Sequence, residues 1–298
     1  MTLPPQIELV RVGPDIELAY ETFGDRDDPP VLLVMGLATQ MLGWPDDFCE
    51  QLAGRGFFVV RFDNRDIGLS THLHDAPPAD IQAVAAGDTR TAAYTLREMA
   101  DDAAGLLDAL DLGAVHVVGA SMGGMIAQTI AIEHPDRVLS LTSIMSTTGD
   151  RAVGAPSEAA IGVLLAPPAR TREEAIERAI AGIRVIGSPG FDRNEDEIAD
   201  RAGRAYDRAH DPAGVGRQFA AILASPDRTP RLGELRVPTV VVHGTDDALV
   251  NVDGGKATAA AIPDAELVLI DGMGHDLPRG AWPQLFEAIA GAVRRAAQ

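Results

Sequence analysis

The stretch Gly119-Ala120-Ser121-Met122-Gly123 has the form G-x-S-x-G and lies between two differently patterned segments. Before it, Val115-His116-Val117-Val118 reads as a strand buried on both faces. After it, Gly124-Met125-Ile126-Ala127-Gln128 reads as a helix of small and apolar residues. Joining strand to helix over so few residues demands a sharp turn, and the positions flanking the serine must be small to avoid both elements. Such a turn holds the Ser121 hydroxyl clear of the sheet, at the positive end of the following helix. The plain alternative is an ordinary βα turn with serine as a helix cap.

The rest of the chain supplies a frame for that turn. Strand-like runs at 16–22, 31–34, 57–62, 114–118, 138–144, 239–243 and 266–270 alternate with stretches of helical spacing. Thr95-Leu96-Arg97-Glu98 has the form of a capping box, and Met99, Ala103, Leu106, Leu107 and Leu110 follow on one helix face. Alternation of this kind predicts an α/β fold with a mostly parallel central sheet and helices on both faces. The pattern breaks between about 149 and 235, where strand-like runs disappear. Thr171-Arg172-Glu173-Glu174 has the form of a second capping box, and helical stretches cover about 195–210 and 215–223. The predicted organisation is a core of 1–147 and 236–298 interrupted by an inserted helical cap, 148–235.

Composition narrows the function classes. The formal net charge of −19 repels nucleic acid and anionic membrane surfaces. No run approaches the roughly 18 apolar residues of a membrane span, and the first residues show no basic region followed by an apolar run. Cys49, the single cysteine, cannot form an intramolecular disulfide, which fits a cytoplasmic setting. The oligomeric state is open, a homo-oligomer included.

A serine hydroxyl is a weak nucleophile and needs a base oriented by a carboxylate. Of seven histidines, four follow Ser121, and His210, His243 and His275 are the ones weighed as its base. His210 lies in the predicted cap, and His243 ends a strand. His275, in Asp271-Gly272-Met273-Gly274-His275, closes a glycine loop after the last strand and is the chosen base. Asp246 and Asp247 both follow the penultimate strand; Asp247 is preferred because Ala248-Leu249-Val250 anchors its loop. The expected oxyanion donors are the main-chain N–H groups of Met122 and of Leu37, in Met35-Gly36-Leu37. Trp44, Ile183 and Phe219 are candidates for lining a substrate pocket, with core packing as the alternative for each. His72 and His74, with Asp75 beside them, read as a solvated loop, so no metal is assigned. No cofactor is called for either.

With these residues in place the chain resembles the α/β-hydrolase superfamily over about 15–147 and 235–295. Ser121, Asp247 and His275 fall on its triad positions. Asp63-Asn64-Arg65-Asp66-Ile67-Gly68-Leu69-Ser70 is similar to its D-x-R-G-x-G-x-S loop, with Asp66 where glycine is usual. Val34-Met35-Gly36-Leu37, Leu42-Gly43-Trp44, Gly119 to Gly124 and Gly272-Met273-Gly274-His275 resemble actinobacterial carboxylesterases of the lipase and aclacinomycin methylesterase type. Met35 stands where many relatives carry histidine. The resemblance implies a serine hydrolase cleaving a small-molecule carboxylic ester through an acyl-enzyme. Carbon–carbon bond hydrolysis and perhydrolysis use the same triad and stay open, as does a non-catalytic ligand receptor. Dehalogenases and epoxide hydrolases of this fold carry aspartate at the Ser121 position. Acyl and alcohol specificity are not encoded in these motifs.

Overall fold

The computed structural model describes residues 7–297. The amino-terminal stretch read for a secretory signal lies almost wholly outside them. Eight strands form one sheet in the order β1-β2-β4-β3-β5-β6-β7-β8. They are β1 Glu8–Arg11, β2 Glu17–Phe23, β3 Pro30–Val34, β4 Phe58–Phe62, β5 Val115–Ala120, β6 Val138–Ile144, β7 Thr239–Gly244 and β8 Glu266–Ile270. From β4 through β8 every neighbouring pair is parallel, while β2 pairs antiparallel with β1 and β4.

The side-chain period of two divides each central strand between two hydrophobic layers. Leu32 and Val34 of β3 point into one layer, Val31 and Leu33 into the other. Helices α1 Asp46–Ala53 and α11 Trp282–Ala296 cover one face through Phe48, Leu52, Leu285 and Phe286. Helices α3 Leu96–Ala109 and α4 Met122–Glu133 cover the other. The first capping box forms, with Glu98 accepting the Thr95 N–H at 2.8 Å. The missed strand is β1, whose four residues are largely exposed at the sheet edge; it lacks the buried apolar run that marks the others.

Between β6 and β7 the chain is helical: α5 Glu158–Leu164, α6 Arg172–Ile186, α7 Glu195–Arg208, α8 Pro212–Ala224 and α9 Thr229–Leu232. The remaining helices are α2 Ile81–Ala85 and α10 Val252–Ala261. Thr171 caps α6, its Oγ1 accepting from the Glu174 N–H at 3.2 Å. The reciprocal half of that predicted box does not form. Glu174 turns to the N–H and guanidinium of Arg170 instead, a charged donor that outcompetes a neutral amide.

Ion pairs to buried aspartates bind this helical segment to the sheet loops. Arg217 of α8 grips Asp66 with two hydrogen bonds, at 2.7 and 2.8 Å, and both groups are buried. Arg208 of α7 reaches the fully buried Asp63 at 2.9 Å. Burial pushes the Asp63 carboxyl up, against the pull of Arg208. Asp66 adopts φ 64°, a conformation open to glycine that aspartate tolerates better than most other residues. Its carboxylate also accepts from the Tyr94 hydroxyl and the Leu73 N–H, each at 2.8 Å.

Candidate active site

The turn between β5 and α4 places Ser121 at φ 58°, ψ −123°, a strained conformation held by the elements on either side. The Ser121 N–H donates to the Ile144 carbonyl of β6 at 2.9 Å, and its own carbonyl accepts from the Ser146 hydroxyl at 2.9 Å. A Cβ at Gly119 would stand 2.1 Å from the Gly123 oxygen, and one at Gly123 would stand 2.1 Å from the Val34 oxygen, so neither glycine of the motif leaves room for a side chain.

Two loops converge on the Ser121 side chain. His275 Nε2 lies 2.9 Å from Ser121 Oγ, and His275 Nδ1 lies 2.7 Å from Asp247 Oδ2. Asp247 leads into the apolar stretch after β7, and its Oδ1 accepts the N–H groups of Leu249 and Val250, each at 2.9 Å. His243, buried at the end of β7, approaches Asp247 Oδ2 at 3.4 Å. Burial alone would push the Asp247 carboxyl up. The His275 ring, hydrogen bonds from both histidines and the Val250 N–H outweigh it and hold the group well below the usual carboxylate range. Asp246 points elsewhere, its Oδ2 accepting from the Thr245 hydroxyl at 2.7 Å.

The loop after β3 lies directly against the serine. A Cβ on Gly36 would meet Ser121 Cβ at 3.0 Å. Asn64 Nδ2 pins the Met35 carbonyl at 2.9 Å, and the Ala38 N–H donates to Gln218 Oε1 of α8 at 3.2 Å. Met122 opens α4, so its N–H has no intrahelical acceptor. Among the described residues, no loop or turn bond engages the Leu37 N–H.

Of the residues expected to line a pocket, Ile183 in the last turn of α6 and Phe219 of α8 are half-buried. Trp44 departs from that expectation. It is fully buried and packs against Phe48 with ring centroids 5.4 Å apart, leaving no face for a ligand. His210 lies away from the serine, its Nε2 2.7 Å from the Ala169 carbonyl. Cys49 is buried in α1, and burial pushes its thiol up to about 12.

Sequence reasoning missed the support of the histidine loop. Ser188, just beyond α6, donates its N–H to Asp276 at 2.9 Å and accepts the Gly274 N–H on its hydroxyl at 2.9 Å. The His275 N–H itself donates to the Ile186 carbonyl at 2.6 Å. These contacts join segments 86 and 88 residues apart, with no local pattern to signal them.

A family model described as alpha/beta hydrolase fold matches residues 29–278. The rhodomycin D methylesterase DauP of Streptomyces sp. (strain C5) is 31% identical over 303 residues, covering 95% of this chain and 96% of that protein. A 2-hydroxy-6-oxononadienedioate/2-hydroxy-6-oxononatrienedioate hydrolase of Cupriavidus pinatubonensis is 31% identical over 57% of this chain and 59% of its own. Among solved structures, a thermophilic esterase from Thermogutta terrifontis superposes with a TM-score of 0.72 at 26% identity, covering 98% of this chain and 100% of that one. The chain belongs to the α/β-hydrolase family. Among the described residues, no helix is long and apolar enough to cross a membrane.

Proposed function

We propose that this protein is a carboxylesterase that cleaves a small-molecule ester through an acyl-enzyme on Ser121. The continuous run from Ser121 Oγ through His275 to Asp247, at 2.9 and 2.7 Å, carries this reading. His275 Nε2 takes the hydroxyl proton as Oγ attacks the ester carbonyl. Asp247 fixes the ring with Nδ1–H toward itself and stabilises the imidazolium. The Leu37 and Met122 N–H groups receive the oxyanion, each donor contributing about 3 kcal/mol to the transition state. His275 then protonates the departing alcohol, and afterwards activates the water that releases the acid. No cofactor enters this sequence. Segment 148–235 acts as a cap over the site, with Ile183 and Phe219 facing substrate. The likeness to a methylesterase over nearly the whole chain favours a methyl ester.

Carbon–carbon bond hydrolysis is the second reading, favoured by the likeness to an oxononadienedioate hydrolase over part of the chain. A panel of methyl esters, p-nitrophenyl esters and vinylogous diketones, assayed with wild type and Ser121→Ala, separates the two. Ester turnover that falls by about 10⁴–10⁶ in the variant is expected. Turnover of diketones alone would select the second reading, and esterase activity unchanged in Ser121→Ala would overturn both.

A further inference from the structure

Away from Ser121, two histidines and an aspartate meet where the helical segment joins the sheet loops. His72 and His74 follow the Asp63–Ser70 loop, and Asp211 caps α8. His72 Nδ1 lies 2.8 Å from Asp211 Oδ2, and His74 Nδ1 lies 3.9 Å from the same oxygen. All three ligand atoms fall within 4.8 Å of one another. The two rings stack at 10° with centroids 5.5 Å apart.

Both fixed members of this cluster are aimed by second hydrogen bonds. His72 Nε2 sits 3.0 Å from the Gly68 carbonyl, which accepts only a proton. A neutral ring donating there turns its Nδ1 lone pair toward Asp211. Asp211 Oδ1 accepts the Ala213 N–H at 3.0 Å, leaving Oδ2 for the gap. His72 Nδ1 and Asp211 Oδ2 face each other at 2.8 Å, a gap that either a proton or a metal ion can fill. A histidine held by a backbone carbonyl on one nitrogen and offering the other is the arrangement that orients metal ligands.

We propose that His72 Nδ1, His74 Nδ1 and Asp211 Oδ2 bind a divalent transition-metal ion of the zinc class. Zinc bonds to nitrogen and carboxylate oxygen are about 2.0–2.2 Å, which sets ligand atoms about 3.3 Å apart in a tetrahedron. The observed 2.8 and 3.9 Å lie about 0.5 Å below and about 0.6 Å above that spacing, and the two imidazole nitrogens lie within 4.8 Å of each other, so the exposed His74 side chain has to swing inward to seat the ion. Two imidazoles with one carboxylate suit zinc, nickel or copper over magnesium or calcium. Water completes the shell from the open cleft bordered by Ser70 and His210. Arg217 Nη2 stands 3.3 Å from Asp211 Oδ2. Its two hydrogen bonds to Asp66 keep it in place, and its charge lowers the affinity of the site without filling it. The ion cross-links a sheet loop to the start of α8 and has no part in the chemistry at Ser121.

The test uses untagged, chelator-stripped protein titrated with zinc chloride by calorimetry, with thermal melts in parallel. One ion per chain is expected, with a rise in Tm of about 5 °C at a hundredfold excess over Kd. His74 is exposed, so His74→Ala should keep the metal-free Tm of wild type. Its zinc affinity should fall by about tenfold or more, cutting the thermal shift at the same zinc concentration to about half or less. Absence of binding heat and of any shift would overturn the proposal and leave the gap to a proton on His72. A shift that survives His74→Ala in full would also overturn it, since the ion would then sit elsewhere.

Discussion

The main-chain N–H of Ser188 donates to the Asp276 carboxylate at 2.9 Å, so the residue beyond α6 holds the residue beyond His275. Ser188→Ala deletes the hydroxyl that accepts the Gly274 N–H and bonds Asp276. The His275 ring then loses part of its fixed orientation. We expect kcat to fall about tenfold with KM nearly unchanged, because the loss falls on positioning in the transition state. Ser188→Thr keeps the hydroxyl and should recover most of it. Steady-state kinetics on a p-nitrophenyl ester checks both variants, and equal losses in the two would refute the assignment.

Asp247 and Asp246 are adjacent, yet only Asp247 contacts the imidazole. Asp247→Asn should lower kcat by about 10⁴ through loss of the correct ring tautomer, while Asp246→Asn stays near wild type. The Asp247 carboxyl is held below its ordinary range. Its stabilising charge is therefore fully present above the unfolded value, about 3.9, and is lost as pH falls through the lower folded value. Asp247→Asn should accordingly flatten the acid limb of a stability–pH curve measured by urea unfolding.

Breaking the Arg217–Asp66 pair from one side strands a buried charge. Arg217→Met should destabilise the fold by about 3–5 kcal/mol. Adding Asp66→Gly should restore much of that loss, since glycine adopts φ 64° freely and no carboxylate remains. Equilibrium unfolding of the two single variants and the double variant gives the coupling directly. Strict additivity would show that the pair is not what binds α8 to this loop.

The Cys49 thiol, raised to about 12 by burial, couples alkaline pH to stability. The unfolded thiol loses its proton near about 8.5 while the folded one keeps it. Stability is then fully present below that value and falls by roughly 1.4 kcal/mol per pH unit toward the folded pKa. Denaturant unfolding between pH 8 and 10 should show this slope in wild type and a shallower one in Cys49→Ala.

Local spacing made the sheet, the serine turn and the His275 loop legible, because each is written in neighbouring residues. The central strands announced themselves through burial on both faces; β1, exposed at the edge, gave no such signal. Trp44 carried the ambiguity of any large aromatic beside a loop, and only packing on Phe48 decided its place. What the sequence withheld is pairing at a distance. Asp66 and Arg217 lie 151 residues apart, His72 and Asp211 139, and nothing in either stretch names its partner. Asp66, in a loop whose resemblance leads one to expect glycine there, was the one available hint.

Helices α7 and α8 are fixed to the sheet loops by arginines paired with buried aspartates, whereas α6 contributes no buried residue at all. For anyone seeking to alter what this enzyme accepts, that contrast marks where to diversify. A mutagenesis library spread along α6 leaves both clamps untouched, so its members should fold at a high rate. The same library placed on α8 would spend most of its members on unfolded chains.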